Sequence, residues 1–144
     1  MQIDSLVKTK VSTYYWADDL NCATTTLKIL AEAFKIELNK QVVDAATGMH
    51  GAGGYGAQCG LVEGTLMFLG IFLRKNNFAD KVIVTSCRQF AEQFENRFKS
   101  LQCSILRPEG FHRDNPPHLC EALTCETLEF SIRFIAILID DSSR

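Results

Sequence analysis

Cysteines are the residues of this chain with the most evident chemistry. The 144 residues include six of them, at Cys22, Cys59, Cys87, Cys103, Cys120 and Cys125. In a reducing compartment such residues are small buried hydrophobes, metal ligands or redox thiols rather than disulfides. The sequence has no CxxC and no CxxCH motif, which excludes a thioredoxin-type dithiol and covalent c-type haem attachment. A site shared by several thiols must therefore be assembled by the fold.

The cysteines differ in the positions that the sequence gives them. Cys22 and Cys59 fall at expected helix starts, where unpaired N–H groups and the helix dipole favour a thiolate or an anionic metal–thiolate centre. Cys87 lies inside an amphipathic helix and is expected to be a packing residue. Cys120 and Cys125 are five residues apart and would point about 140° away from each other on a helix. We do not expect both in one site unless the helix starts between them.

Glycine is concentrated in one part of the chain. Eight of the nine glycines lie between Gly48 and Gly70. The stretch "GAGGYG" lacks the Lys-Ser/Thr pair of a phosphate loop. Gly51, Gly53 and Gly56 fit a G-x-G-x-x-G pattern, but in a helical context rather than the βαβ unit of a dinucleotide site. The glycines therefore do not predict a nucleotide-binding loop.

The same segment leads directly to a thiol. It ends at Cys59, so we expect a tight backbone wrap that delivers this side chain to a helix N-terminus. Backbone N–H groups at Gly53, Gly56 and Gly60 are candidates for close approach to sulfur or a cofactor. His50 opens the segment and is a candidate ligand or donor to a ligand.

Helical periodicity dominates the elements that must position these residues. We predict an all-α bundle of five or six helices with one glycine-rich connection, in a single domain spanning residues 1–144. Val82, Phe90, Phe94 and Phe98 are spaced for one helix face. The predicted helices cover residues 5–17, 22–34, 39–48, 59–74, 80–100 and 118–139.

A polar, turn-rich segment at residues 106–117 precedes the last predicted helix. It contains all three prolines, and Pro117 suits the first position of a helix. The last helix is therefore expected to begin near His118. His112 and His118 flank the prolines and are expected to be solvated loop residues.

Composition excludes several classes of function. The net charge of −2, with no basic tract, argues against nucleic acid as a partner. The longest apolar run, "FIAILI", is too short to cross a membrane, and no apolar leader is present, so we expect a cytoplasmic protein. No base–nucleophile constellation is evident, so we predict no catalytic residues. The helix after Cys59 and the "FSIRFIAILI" helix are apolar enough to predict a homodimer.

Four motifs occur in an order that resembles a known family. "NCATTTLKILAEAF" carries Cys22, "GAGGYGAQCGLVEG" carries Cys59, and "FENRFKSLQC" runs into Cys103. A final cysteine follows near the last helix, best matched by Cys125, with Cys120 as the alternative. Over nearly its whole length the chain resembles the C_GCAxxG_C_C family of redox-active proteins.

The resemblance implies a function that the residues alone do not. It implies an all-helical domain that gathers four cysteines from distant segments and has a redox role. Similar domains also occur joined to haem-bearing cytochrome segments, which implies electron transfer, an iron–sulfur centre and a redox partner protein.

Three hypotheses follow. The first is an iron–sulfur cluster or another metal, such as zinc, held by Cys22, Cys59, Cys103 and Cys125. The second is thiol–disulfide chemistry by a Cys22/Cys59 pair. The third is a non-catalytic helical binding module in which the cysteines only pack. An electron-transfer protein is favoured over an enzyme that turns over a small substrate.

Overall fold

The computed structural model of this chain describes residues 3–107 and 114–142. Within these ranges the structure is all-α, with eight helices and no strand, which confirms the predicted fold class. Five of the helices have ten or more residues. The helices are α1 (Ile3–Ser12), α2 (Cys22–Ala33), α3 (Lys40–Ala45), α4 (Gly51–Gly54), α5 (Gly60–Lys75), α6 (Asp80–Phe98), α7 (Cys103–Leu106) and α8 (Glu121–Ser142).

Helix α1 ends in a wider turn that changes the direction of its last side chains. Val7 and Val11 are buried against the core, and a π-helical turn then follows at Thr13–Ala17. Such turns are rare and often occur at functional sites. This one buries Tyr15, whose hydroxyl lies 2.7 Å from the Thr124 hydroxyl of α8.

Helices α2 and α5 pack more closely than any other pair. Asn21 caps α2, because its side-chain oxygen accepts a hydrogen bond of 2.9 Å from the Thr24 N–H. A Cβ atom at Gly64 of α5 would lie 2.6 Å from the Ala23 carbonyl oxygen of α2. Small residues therefore let the two backbones touch.

Helices α6 and α8 meet through aromatic rings. We call Phe90, Phe94, Phe98, Phe130 and Phe134 the phenylalanine cluster; the ring centroids in contact are 4.7–6.3 Å apart. The predicted face of α6 is thus buried, except at its start. Val82 was expected there but is 42% exposed, because the cluster begins two turns further along the helix.

The last long helix begins later than the sequence predicted. Helix α8 starts at Glu121 rather than near His118, because the backbone of His118 has a φ of +61° and cannot continue a right-handed helix. Pro117 consequently lies in a turn. Residues 108–113 of the polar segment, including His112, fall outside the described residues. No helix in the described ranges is long and apolar enough to cross a membrane.

Candidate functional site

Four cysteines lie where four helices begin. Cys22 and Cys103 are the first residues of α2 and α7, and Cys59 directly precedes α5. Cys120 directly precedes α8, and its carbonyl oxygen accepts a 2.7 Å hydrogen bond from the Thr124 N–H. We call Cys22, Cys59, Cys103 and Cys120 the thiol site, since each lies close enough to influence the ionisation of others in the set.

Backbone hydrogen bonds fix two of these segments to each other. The Cys59 N–H donates to the Leu101 carbonyl over 2.8 Å, and the Cys103 N–H donates to the Ala57 carbonyl over 2.7 Å. Gln58 and Gln102 form an isolated antiparallel bridge between the two bonds. The second and third cysteines along the chain are therefore held side by side.

The glycine-rich segment forms a left-handed turn. All four residues of α4, Gly51–Gly54, have φ between +56° and +85°. Side chains rarely adopt this conformation, which favours glycine at three of the four positions, whereas Ala52 adopts it with a side chain. A Cβ atom at Gly53 would meet nothing within 4 Å, so this glycine provides the turn rather than the predicted close approach. At Gly51 a Cβ would lie 3.2 Å from the Cys103 sulfur.

Two further glycines act in different ways. Gly56 has a φ of +98°, and its carbonyl accepts a hydrogen bond of 3.2 Å from the Ser104 N–H, which ties the glycine segment to α7. A Cβ atom at Gly60 would lie 2.4 Å from the Cys22 sulfur. The close approach of backbone to sulfur expected from the sequence therefore occurs at Gly60.

A cavity of about 270 Å³ opens beside three of the four thiols. Tyr15 and His118 line it together with Cys22, Cys103 and Cys120, while Cys59 is 4% exposed and lies outside the lining. His118 was expected to be solvated, but its side chain is 12% exposed because it stacks on Tyr15.

His50 also lines this cavity. Its Nδ1 atom is buried and has no hydrogen-bond partner among the described residues. A buried ring nitrogen normally has a partner. This atom is therefore available to a group bound in the cavity.

The thiols are held in their neutral form. Burial raises the pKa of Cys22 well above its usual value, and the neighbouring Cys59 adds to the effect. Burial likewise raises the pKa of Cys59 to about 12, although the N–H groups of Leu61 and Val62 oppose the shift. The sequence expectation of thiolates favoured by helix starts is wrong for the metal-free chain, because both helix starts are buried.

One cation acts on the outer part of the thiol site. Burial raises the pKa values of Cys103 and Cys120, and the Arg107 guanidinium acts to lower both. Arg107 also lines the cavity. The site therefore combines a buried thiol, Cys59, and a partly buried one, Cys22, with two thiols that face a positive charge.

The remaining cysteines lie elsewhere. Cys125 is on α8, where Asp4 and Lys8 of α1 influence its pKa, and it does not line the cavity. Helix α8 starts between Cys120 and Cys125, but only Cys120 lines the cavity. The structure thus brings Cys120 to the thiol site, where the sequence favoured Cys125. Cys87 is half-buried in α6, which agrees with the expected packing role.

The metal-binding geometry of the described residues is not preformed. Among them, no group of three or more His, Cys, Asp or Glu side chains is arranged to hold a metal ion. The structure therefore brings the thiols into one neighbourhood without setting their sulfurs at ligand positions. All six cysteines are free thiols.

Sequence reasoning missed most of the residues that line the cavity beside the thiols, including Arg107. Asn21, Tyr15 and His118 all line it. The aromatic run at Tyr14–Trp16, immediately before the first helix-start cysteine, was an available signal. Of these three aromatic residues, Tyr15 lines the cavity.

Comparison with known proteins gives one match. The family described as "Putative redox-active protein (C_GCAxxG_C_C)" matches residues 20–133, which include all four cysteines of the thiol site. Searches of curated proteins and of solved structures gave no significant match.

Proposed function

Because the chain belongs to the C_GCAxxG_C_C family of redox-active proteins, we propose that it is an electron-transfer protein whose thiol site holds an iron–sulfur cluster. One observation carries the proposal: four thiols from four distant segments meet at four helix starts. Four cysteine thiolates are the usual ligand set of such clusters.

The surroundings of the sulfurs support this assignment. A Cβ atom at Gly51 or Gly60 would crowd the sulfurs of Cys103 and Cys22 respectively, so the backbone forms a cradle against two of the four thiols. The cavity beside Cys120 gives a bound group access. Backbone N–H groups near metal-bound sulfur tune its potential, which gives the cradle a function.

Binding would rearrange the side chains. Because the sulfurs are not preset as ligands, they have to draw together, and each thiol has to lose its proton. The positive charge of Arg107 offsets part of the repulsion that several neighbouring thiolates would otherwise experience. Metal loading is therefore expected to order the thiol site and stabilise the fold.

The cluster, when bound, supplies a one-electron couple. The chain's own residues would then exclude water from the cluster and shift its reduction potential. Burial of Cys59 excludes water from one side, and the N–H groups of Leu61 and Val62 face its sulfur. Arg107 brings positive charge to Cys103 and Cys120, which favours the reduced, more negative state.

A Cys22/Cys59 disulfide is the second candidate. Gly60 follows Cys59 directly and lies against the Cys22 sulfur, so the two segments are in contact. Formation of this bond would release two electrons and two protons to an oxidant. The raised pKa of both thiols slows thiolate attack, which ranks this function below the cluster.

Anaerobic purification followed by reconstitution with iron and sulfide tests the proposal. We expect a coloured protein with bound iron and acid-labile sulfide, and visible absorption that bleaches on reduction with dithionite. A colourless protein that binds zinc through the same thiols would overturn electron transfer, since zinc has no redox chemistry. Cycling of a Cys22/Cys59 disulfide in a protein that takes up no metal would instead establish the second candidate.

Matched serine variants test which thiols serve the site. Cys120→Ser should lose most of the cluster absorption, whereas Cys125→Ser and Cys87→Ser should retain it. The reverse pattern for Cys120 and Cys125 would restore the set that the sequence favoured. If serine at Cys22, Cys59, Cys103, Cys120 or Cys125 in turn costs only modest stability and never changes colour or redox behaviour, the chain is a helical binding module and its cysteines only pack.

Oligomeric state and location complete the proposal. The homodimer predicted from sequence retains support at α8, where Ile137 is 62% exposed, whereas most of the apolar face of α5 is covered within the chain. Light scattering at several concentrations tests it. The proposed site needs reduced cysteines, which a reducing, cytoplasmic location would provide.

A further inference from the structure

Three aromatic rings in contact lead from the thiol site to the protein surface. Tyr15 is 2% exposed and stacks on His118, with centroids 4.6 Å apart and planes 13° from parallel. His118 then meets Trp16 edge-on at 5.0 Å, and Trp16 is 57% exposed. We call these residues the aromatic stack. Its inner two members line the cavity beside three partly buried thiols, so the stack leads from the thiol site to solvent.

Each ring of the aromatic stack is positioned by a hydrogen bond to another side chain. The Tyr15 hydroxyl pairs with the Thr124 hydroxyl at 2.7 Å, and the Trp16 indole N–H donates to Glu121 over 2.8 Å. His118 Nε2 lies 2.9 Å from the Asp19 carboxylate. The rings therefore have defined positions relative to one another.

The backbone at Asp19 and His118 is in an unusual conformation, which indicates that the surrounding fold fixes the arrangement of the three rings. Asp19 and His118 have φ values of +51° and +61°, a region that residues other than glycine seldom occupy. Such conformations persist where the surroundings determine them, and they cluster at functional sites. The π-helical turn at Thr13–Ala17 carries the other two rings.

The surface around the outer ring is acidic. Asp18 and Asp19 are exposed just after Trp16 in the chain, and Glu121 accepts the hydrogen bond from the indole. An exposed tryptophan is the side chain most enriched among the residues that dominate binding energy at interfaces. A rim of negative charge attracts a partner with a basic surface.

We propose that a basic redox protein docks on Trp16 and that an electron passes between it and the thiol site through Trp16, His118 and Tyr15. The inference rests on the proposed electron-transfer function. One electron leaves the reduced member of the pair and enters the oxidised member, and no bond forms or breaks. Contiguous packed rings carry the electron because tunnelling through bonded and packed atoms is more efficient than through solvent.

Electron transfer by the reconstituted full chain tests the route. The protein is reduced with dithionite, freed of excess reductant and mixed with oxidised cytochrome c, a small basic redox protein, in a stopped-flow instrument. Trp16→Leu should slow haem reduction on the order of tenfold, the scale of losing one dominant interface residue. Trp16→Phe should keep most of the rate, because a ring remains against His118.

The control is an exposed aromatic residue that does not belong to the aromatic stack. Tyr55 is 85% exposed and follows Gly54, which lines the cavity. Tyr55→Ala should leave the rate unchanged. Unchanged visible spectra show that each variant retains its site. An equal rate for Trp16→Leu and the parent, or a slower rate for Tyr55→Ala than for Trp16→Leu, overturns the route.

Docking can be measured without a cluster, which separates this inference from the proposed function. Trp16 is the only tryptophan, so its indole N–H gives a single resolved NMR signal from the ¹⁵N-labelled metal-free chain. Added cytochrome c should shift that signal, and raised salt should reverse the shift. An unmoved indole signal overturns docking at Trp16 even if the cluster forms. A shifted indole signal in a protein that takes up no iron would support docking at Trp16 and contradict the proposed iron–sulfur cluster.

Discussion

Two helix interfaces of this protein are built on opposite principles. Between α2 and α5, Gly60 and Gly64 face a sulfur, a backbone nitrogen and a carbonyl oxygen at distances that leave no room for a methyl group. Between α6 and α8, the phenylalanine cluster fills the space with rings. The first interface brings backbones together, and the second keeps them apart.

The difference assigns separate tasks to the two interfaces. Large buried rings contribute most of the free energy of unfolding, because they remove much apolar surface from water. Glycine contacts contribute little burial but set positions to within a few tenths of an ångström, which a four-thiol site needs. Substitutions should therefore separate stability from site geometry.

The largest effect on stability is expected at the phenylalanine cluster. Phe94 is fully buried, and Phe94→Ala should lower the free energy of unfolding by about 3–5 kcal/mol. Urea denaturation of the metal-free protein measures the loss. The folded fraction should still take up iron. Phe94→Leu should cost less, and it keeps the test valid if the alanine variant does not fold. A strong loss of iron from folded Phe94→Leu would break the comparison.

The next effect is expected where α5 touches the backbone of α2. Gly64→Ala places a methyl group against the Ala23 carbonyl, so the helices have to separate, and we expect a loss of about 1–3 kcal/mol. Gly70→Ala on the same helix is the control. A Cβ there meets nothing within 4 Å, so it should stabilise the protein by roughly 0.5–1 kcal/mol. Urea denaturation compares both, and equal changes would contradict the packing argument.

A smaller effect on stability, with a large effect on the site, is expected at Gly60. The new methyl group of Gly60→Ala would meet the Cys22 sulfur, a side-chain atom that can rotate away, and would approach the backbone of Ala23 and His50 no closer than 3.0 Å, against 2.6 Å for Gly64→Ala. The free energy of unfolding should therefore fall less than for Gly64→Ala. Iron uptake should fall much more than for Gly64→Ala, because the sulfur leaves the thiol site. Iron analysis after reconstitution measures this uptake. Normal uptake by Gly60→Ala would show that Gly60 is not needed to position the Cys22 sulfur.

The smallest effect is expected at Tyr14, in the π-helical turn that follows α1. There a change of pH alters stability without affecting either helix interface. Burial and then the hydrogen bond to Glu32 raise the pKa of Tyr14 from 10.0 to about 12. The neutral phenol thus stabilises the fold below pH 10, and that contribution is lost as pH rises from 10 to 12. Tyr14→Phe should show a shallower loss of stability over this range in urea denaturation. The same slope for both proteins would show that Tyr14 is not coupled to folding.

Helices were predictable because their signals are local. The periodicity of Leu27, Leu30 and neighbouring apolar residues predicts α2 from sequence alone, and the structure shows Asn21 as its cap. The start of α8 was missed because it depends on a left-handed residue at His118, and that conformation is stabilised by contacts to Tyr15 and Asp19. Nothing local to the segment encodes those contacts.

The thiol site was predictable in part for the same reason. Helix starts at Cys22 and Cys59 could be read from the chain, but the choice between Cys120 and Cys125 depends on where α8 begins. The direction of the thiol pKa values depends on how deeply the helix starts are buried. A helix dipole is visible in a sequence, whereas desolvation is a property of the assembled fold.

The spread of the thiol site along the chain has a consequence for how the protein folds. Its four members lie in segments separated by stretches of up to several tens of residues. Any group that ties them together closes three loops at once, and it removes conformations from the unfolded chain far more than from the folded one. The site can be completed only after its distant segments have met. A group bound to all four thiols would therefore add its stabilisation late in folding. Opening of any one of the four helix starts would release it.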